Sequence, residues 1–521
     1  MGDRRRWLGL PFIALGVALI IVDSTIVNVA IPSIIDDLQV TSTQAQWIQE
    51  TYTLVFASLL LVFGRIADRT GRRKMFAVGV FIFMLSSVLA ANVDSGNALI
   101  AARLIQGIGG AMMLPTSLSL LNSTFFGKDR GIAFAVWGST IGAAAAFGPL
   151  LGGWLTTSFS WRWAFGINIP LGIIILIGLF AFVRESRSTN DAGGADIVGA
   201  LLSVVGIGSI VFGLIEGRNY GWLQTLEPID LFGFVWNFPL SPVPVTFVIG
   251  IVMLFLFVRV EFNRNQRGQA VLLDLTLLRI ASFRNANIAA AIVSLGEFGL
   301  LFALPLWLQN VLGYSAFETG LILLALALGS FVASGAGAQL GNTKGPVFVV
   351  QLGIVLEILG IAISGFVIAT DTSWWAICAP LFVYGAGVGL ATAQLTGVAL
   401  ADVPIENSGQ GSGITSTTRQ LGSALGIAVL GTVLFSSLGT DLDRRLEALP
   451  EVPATVRAET SRVVVQTAGA VIPQLSAEPR TAAIGAAAGE ALTYGTRLSA
   501  FIGAGFLVLG WLATLRLTRG E

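Results

Sequence analysis

The chain has 521 residues, 54% hydrophobic and only 12% charged, with a mean hydropathy of +0.81 and a formal net charge of zero. Soluble globular domains carry about 25% charged residues, so this composition excludes an ordinary soluble protein, and the neutral balance offers nucleic acid no electrostatic footprint. With no histidine, proton chemistry falls to Asp, Glu or water chains, and the single cysteine, Cys378, excludes an intrachain disulfide and a Cys-built metal site.

Apolar runs of about twenty residues recur along the chain, continuous rather than alternating, so they are expected as membrane-spanning helices and not as barrel strands. Fourteen are predicted: 8–31, 46–64, 75–93, 98–122, 132–156, 164–183, 195–216, 244–259, 285–310, 316–340, 346–369, 374–399, 412–438 and 496–517. The first follows a basic, signal-like start, "MGDRRRW", but it is too long for a signal peptide and no small-residue cleavage site follows, so it is expected to be retained. The stretch 226–243, "LEPIDLFGFVWNFPLSPV", is apolar but proline-broken and reads as re-entrant or interfacial. The loop 439–495 is predicted to be a small solvated helical hairpin, punctuated by Pro450, Pro453, Pro473 and Pro479.

Alternate loops, counted from the N-terminus, hold 20 Lys and Arg, whereas the short loops on the other side hold only Arg162 and Arg218. The positive-inside rule then puts both termini in the cytoplasm. Arginine supplies 27 of the 30 basic residues, which points to a GC-rich bacterial genome and so to a bacterial inner membrane. The chain divides into a six-helix bundle over 1–190, two linker helices within 191–284, and a second six-helix bundle over 285–521 that carries the 439–495 hairpin.

Acids inside these runs are expensive, roughly 2.5–3.5 kcal/mol each on insertion scales, and call for a function. Asp23, in "VDSTIVNV", is about 12 Å below the outer end of span 1 at 1.5 Å per residue, with Glu50 about 6 Å and Arg103 about 8 Å deep in spans 2 and 4. Three charges from three helices thus fall in one layer. Two readings stay open: a proton-linked or cation-binding cluster, or a permanent Asp23–Arg103 salt bridge, which leaves Glu50 unexplained. Gln106, Gly107 and Gly110 share the Arg103 face of span 4. Glu297 occupies a corresponding depth in span 9, near Phe298, Phe302 and Trp307, a setting that suits a lipophilic cation or, alternatively, a protonated, hydrogen-bonded Glu. Glu357, in "VLEILG", is a further intramembrane acid.

Four segments occur in order: "GRIADRTGRRK" (64–74), "RLIQGIGGAMMLP" (103–115), "GSTIGAAAAFGPLLGG" (138–153) and "WRWAFGINIP" (161–170). Together they resemble the major facilitator superfamily. The third looks like the antiporter signature, and "RQLGSALG" (419–426) looks like a late-helix motif of the fourteen-span drug:proton antiporters. "VDSTIVNVAIP", "WIQETYTLVFA" and the long outer loop are most similar to quaternary-ammonium exporters of the QacA type. Those exporters also carry acids in span 10 and early span 13, where this chain reads "LALGSFVAS" and "GITSTTRQLG" with none.

The resemblance implies an all-α polytopic major facilitator fold, fourteen transmembrane helices in two six-helix bundles with two extra helices between. It implies proton coupling by Asp23, Glu50 and Arg103. Substrate contact is expected from Glu297, Phe298, Phe302, Trp307, Gln106 and Tyr52. A cytoplasmic gate is expected from Asp68, Gly71, Arg72, Arg73 and Asp129: the Asp68 carboxylate would meet a helix N-terminus of the other half, and a loop arginine would pair with Asp129. The alternative for these basic residues is plain positive-inside charge. Gly148, Pro149, Gly152 and Gly153 would let span 5 approach a neighbour closely and bend.

The expected function is proton-coupled multidrug efflux by a monomer, with small lipophilic substrates, protons and the bilayer as partners. No cofactor, metal or nucleic acid is expected. An exporter of neutral, lipid-like or self-made compounds is the alternative. No ATP-binding P-loop is present, and with no histidine and no catalytic loop a membrane enzyme is a remote third.

Overall fold

The computed structural model describes residues 2–40, 42–187, 196–226, 229–231, 234–236, 238–269, 271–449 and 452–517. The first six spans are α1 (Gly2–Leu38), α2 (Ser42–Thr70), α3 (Arg72–Ala91), α4 (Gly96–Thr124), α5 (Gly127–Ser158), and α6 (Arg162–Gly166) running into α7 (Asn168–Phe182). Two linker helices follow, α8 (Ile197–Tyr220) and α9 (Pro242–Gln266). The second half holds α10 (Ala281–Asn310), α11 (Ala316–Lys344), α12 (Pro346–Val367), α13 (Trp374–Ala401), α14 (Ser408–Glu447), the short α15 (Ala454–Gln466) and α16 (Ile472–Ala477), and α17 (Ala482–Thr514). Among the described residues 13 segments are long and apolar enough to cross a membrane, and α5, with 32 residues, stands beside them.

Turn chemistry sets the reversals. Gly71 takes φ 113° between α2 and α3, and Gly345 takes φ 89° between α11 and α12, a conformation that glycine alone adopts without strain. Ser315 and Glu318 close a reciprocal capping box at the start of α11. Because helices alternate in direction, both described chain ends lie on one face, called here the terminal face. Arg6 meets Asp129 there, and the Asn285 amide donates to the Arg516 carbonyl.

Two large apolar cores form, the first of them joined by Phe283, Ala393 and Leu400 of the second half. One is built round Phe76, Phe83, Phe134 and Trp137, the other round Trp307, Ile354, Leu381 and Tyr384. Large apolar side chains such as Phe81, Ile177, Phe255, Phe331 and Phe366 point outward, as a lipid-facing surface requires. The linker helices α8 and α9 pack on each other, and α8 rests on α2 and α14. Only 17% of the apolar stretch of α9 is buried, so it stands at the periphery.

Two expectations, for α9 and for 439–495, are corrected, and the stretch 226–243 is given its form. The α9 helix runs well beyond 244–259, because its polar end "RVEFNRNQ" remains helical. The stretch 226–243 contains a small antiparallel hairpin, Ile229–Leu231 paired with Phe234–Trp236, on the face opposite the termini. The 439–495 segment is not a separate solvated hairpin. Leu434, Leu438, Leu442 and Leu446 repeat every fourth residue, so the buried stripe of α14 continues past the expected membrane end. With α15, α16 and the early turns of α17 it encloses Val464, Ile472, Ile484 and Leu492 in an apolar core of its own.

Candidate functional site

The Asp23 side chain lies in α1, fully buried. Its Oδ2 accepts from Arg103 Nη1 of α4 at 2.6 Å. Its Oδ1 accepts from Gln106 Nε2 and Asn168 Nδ2, both at 2.7 Å. Those two amides also donate to Ser87 Oγ of α3, at 3.0 and 3.1 Å. Arg103 donates Nε to the Ile48 carbonyl of α2 at 3.1 Å, and its guanidinium carbon stands 4.4 Å from the centre of the Tyr52 ring. Side chains of α4 and α7 therefore bind the carboxylate, and α3 and α2 hold those side chains in turn. The charge is tolerated because every acceptor site in use is met by a donor, two of them neutral amides. Glu50, half-buried in α2, is not among the partners of Asp23 or Arg103.

The second half holds a looser counterpart. Glu297 in α10 is buried, with its Oε2 3.9 Å from Arg419 Nη2 of α14. Thr392 Oγ1 approaches its Oε1 at 3.4 Å, and the Tyr384 hydroxyl donates to its main-chain carbonyl at 2.9 Å. The expected aromatic companions fare differently. Trp307 is fully buried in the helix core, donating Nε1 to Thr493 Oγ1 at 3.2 Å. Phe302 packs edge-on to Phe435 with ring centres 6.2 Å apart. The side chain of Phe298 lies outside the described residues.

At the terminal face Asp68 is fully buried between the halves. It accepts from the backbone N–H of Gly409 at 2.7 Å and of Gln410 at 3.0 Å, the first turn of α14. Arg72 donates to it at 2.7 Å and extends the same guanidinium to the Ile405 carbonyl at 2.6 Å. An anion thus sits on the positive end of a helix from the other half, held by a cation that also bridges the halves. Gly64 and Gly409 make the approach possible: a Cβ on Gly64 would lie 2.5 Å from the Gly409 carbonyl oxygen. Asn122 of α4 donates to Ser408 at 3.0 Å beside it. Gln410 Oε1 accepts from the Asp274 N–H at 2.7 Å, which ties the linker segment to the same point.

The remaining expected gate residues serve inside the first half. Arg73 and Gly71 lie against Glu185, which accepts from the Arg73 and Lys74 N–H groups. Asp129 pairs with Arg6 at 2.5 Å, not with an arginine of 64–74 as expected. The basic start of α1 reaches it first, while Arg72 is occupied by Asp68 and Ile405.

In α5, a Cβ on Gly148 would fall 1.7 Å from Thr25 Oγ1, so glycine is what lets α5 close on α1 two residues from Asp23. Gly152 is buried, and Gly153 faces the start of α11 at Phe317. The side chain of Pro149 lies outside the described residues.

Sequence reasoning did not name Asn168, Ser87 or Ile48 as parts of the Asp23 cluster, nor Arg419 as the neighbour of Glu297. Signals existed: Ser86–Ser87 interrupts an apolar run, and Asn168 and Arg419 lie in quoted motifs. Sequence distance hid the pairing, since Asn168 is 145 residues from Asp23.

Residues 13–427 match the model of the Major Facilitator Superfamily. The multidrug resistance protein Stp of Mycobacterium tuberculosis is 31% identical over 523 residues, covering 99% of this chain and 92% of that protein. The multidrug efflux pump LfrA of Mycolicibacterium smegmatis is 30% identical, covering 89% and 86%. The probable actinorhodin transporter of Streptomyces coelicolor is 33% identical, covering 84% and 74%. Among solved structures, the human organic anion transporter MFSD10 superposes with a TM-score of 0.62 at 14% identity, over 99% of this chain and 100% of that one, which bears on the fold alone.

Proposed function

This chain belongs to the major facilitator superfamily, and we propose from that membership that it exports lipophilic, chiefly cationic compounds in exchange for protons. Relatives named for multidrug efflux and multidrug resistance support the export reading. The observation that carries the proton side is the buried Asp23–Arg103 pair, satisfied by two amides, in a helix that α5 contacts through Gly148. Protonating Asp23 cancels one charge of the pair and frees Arg103 to move. That is the two-state element alternating access needs. The excess of Lys and Arg on the terminal face supports placing that face in the cytoplasm of a bacterium, in its inner membrane.

In the conformation described, α14 meets α2 and α4 at the terminal face through Asp68, Arg72 and Asn122. Substrate would therefore have left toward the opposite side. Acidification outside loads Asp23. The reoriented protein releases the proton inside as it takes up substrate.

The test is ethidium efflux from proteoliposomes under an imposed pH gradient. Wild type is expected to concentrate the dye against its gradient, whereas Asp23→Asn, untitratable and compared at a matched amount of folded protein because it leaves Arg103 buried without its carboxylate, moves it only downhill. Equal gradient-driven transport by both would remove Asp23 from the coupling. A second reading, export of a neutral or self-made compound, draws on the packing of Trp307 and Phe302 in helix cores and on the proximity of Arg419 to Glu297. Glu297→Gln separates the two: it should weaken export of cations more than export of neutral compounds, and equal losses favour the second reading.

A further inference from the structure

We propose that Glu357 is a second proton-carrying residue of this transporter, working with Glu297 in the second half; the proposal rests on the antiport reading above. Glu357 lies in mid-α12, the third long helix of its half, and is fully buried. Neither carboxyl oxygen has a hydrogen-bond partner among the described residues. A buried carboxylate with no donor is costly by several kcal/mol, so the form this site accommodates is the neutral acid. The corresponding third helix of the first half presents Ser87 to the two amides that hold Asp23, a hydroxyl that cannot exchange a proton in this range.

The surroundings give that proton a use. A Cβ on Gly387 of α13 would lie 2.6 Å from Glu357 Cγ, and a Cβ on Gly360 the same distance from Tyr384 Cβ. Two glycines thus press α12 and α13 together where the acid is. Tyr384 in turn donates to the Glu297 main chain at 2.9 Å. Glu357 lies within electrostatic reach of both Glu297 and Arg419, and Tyr384 within reach of both acids. Other charged groups on the packed helices stand away from it. Arg497 of α17 donates to the Gly365 carbonyl, two turns further along α12. The charged residues of α11, Glu318 and Lys344, are at its ends, and Cys378 is the other titratable group of α13.

Charge then counts as follows. With Glu297 ionised, Arg419 positive and Glu357 neutral, the group is neutral. Breaking the Glu357 O–H bond sends one proton to water and leaves one net negative charge. A monocation entering beside Glu297 restores neutrality. Re-forming the O–H bond with a proton from the opposite side expels it.

The experiment compares wild type with Glu357→Gln in proteoliposomes, reading ethidium uptake and proton movement together. Glu357→Gln is expected to keep the wild-type melting temperature and to lose about one proton per ethidium, with a flatter pH dependence of ethidium binding. Glu357→Asp is expected to restore both readouts. Glu357→Met, apolar and of similar volume, should show the same loss and serves if the amide does not fold. Neutral variants with wild-type proton ratios and pH profiles would overturn the proposal and leave Glu357 a permanently neutral packing group. A wild type that moves no protons with ethidium overturns the antiport reading itself, and shows it before any variant is made.

Discussion

Asp23 and Arg103 hold each other in place within a shell of neutral amides, and that arrangement sets the cost of disturbing either. Removing the guanidinium leaves a buried carboxylate with only Gln106 and Asn168, so Arg103→Ala should destabilise the protein by about 3–5 kcal/mol, read as a lowered melting temperature in detergent. Arg103→Ala with Asp23→Asn should recover most of that loss, because the orphaned charge is gone. A double variant no more stable than the single one would show that packing against Tyr52, not the ion pair, is what Arg103 supplies. Gly148 belongs to the same scale. Gly148→Ala drives a methyl into Thr25 and should cut transport sharply at unchanged expression, and Gly148→Ala with Thr25→Gly should recover part of it.

The elements meet most closely where Asp68 caps α14. A carboxylate at a helix N-terminus contributes up to about 2 kcal/mol in a partly buried setting. Asp68→Asn keeps the shape but loses the charge and leaves the buried Arg72 without its carboxylate, so the terminal face should open at least roughly tenfold more often, tenfold being about 1.4 kcal/mol. In a Cys378→Ser background, labelling of Ser412→Cys by an impermeant thiol reagent from that face reads the change. Unchanged labelling would mean that Asp68 is not what keeps this face shut. The linker contributes through one contact, the Asp274 N–H on Gln410. Gln410→Ala should raise the same labelling by a smaller factor, about threefold, for the loss of one net hydrogen bond. This tie was not legible in the sequence, where 191–284 read only as two linker helices and their connections. The Asp68 cap was expected by resemblance; the Arg72–Ile405 bridge was not, since a backbone acceptor 333 residues away leaves no side-chain signature.

At the scale of the molecule, the direction of the proton gradient should set the direction of transport. Raising the pH on the face opposite the termini until the gradient vanishes should abolish uphill ethidium export while leaving downhill exchange, and uphill export that persists would sink the coupling. Composition and the recurrence of apolar runs determined that the chain is a polytopic helical membrane protein. Motif order determined its family, and depth along the spans singled out Asp23, Glu50, Arg103 and Glu297, of which Glu50 is not a partner of the Asp23–Arg103 pair. Those properties are local or one-dimensional: hydropathy needs no partner, and depth follows from 1.5 Å per residue. Tertiary structure alone decided who pairs with whom. It gave Asp23 to Asn168 and Gln106 as well as Arg103, gave Asp129 to Arg6, buried Trp307 in packing, and left Glu357 without a donor among the described residues. It also carried α14 and α17 into the 439–495 segment, with the short α15 and α16 between them. Pairing depends on the rotation and approach of helices far apart in sequence, which close contacts at Gly64, Gly148 and Gly387 set and which no single helix can encode.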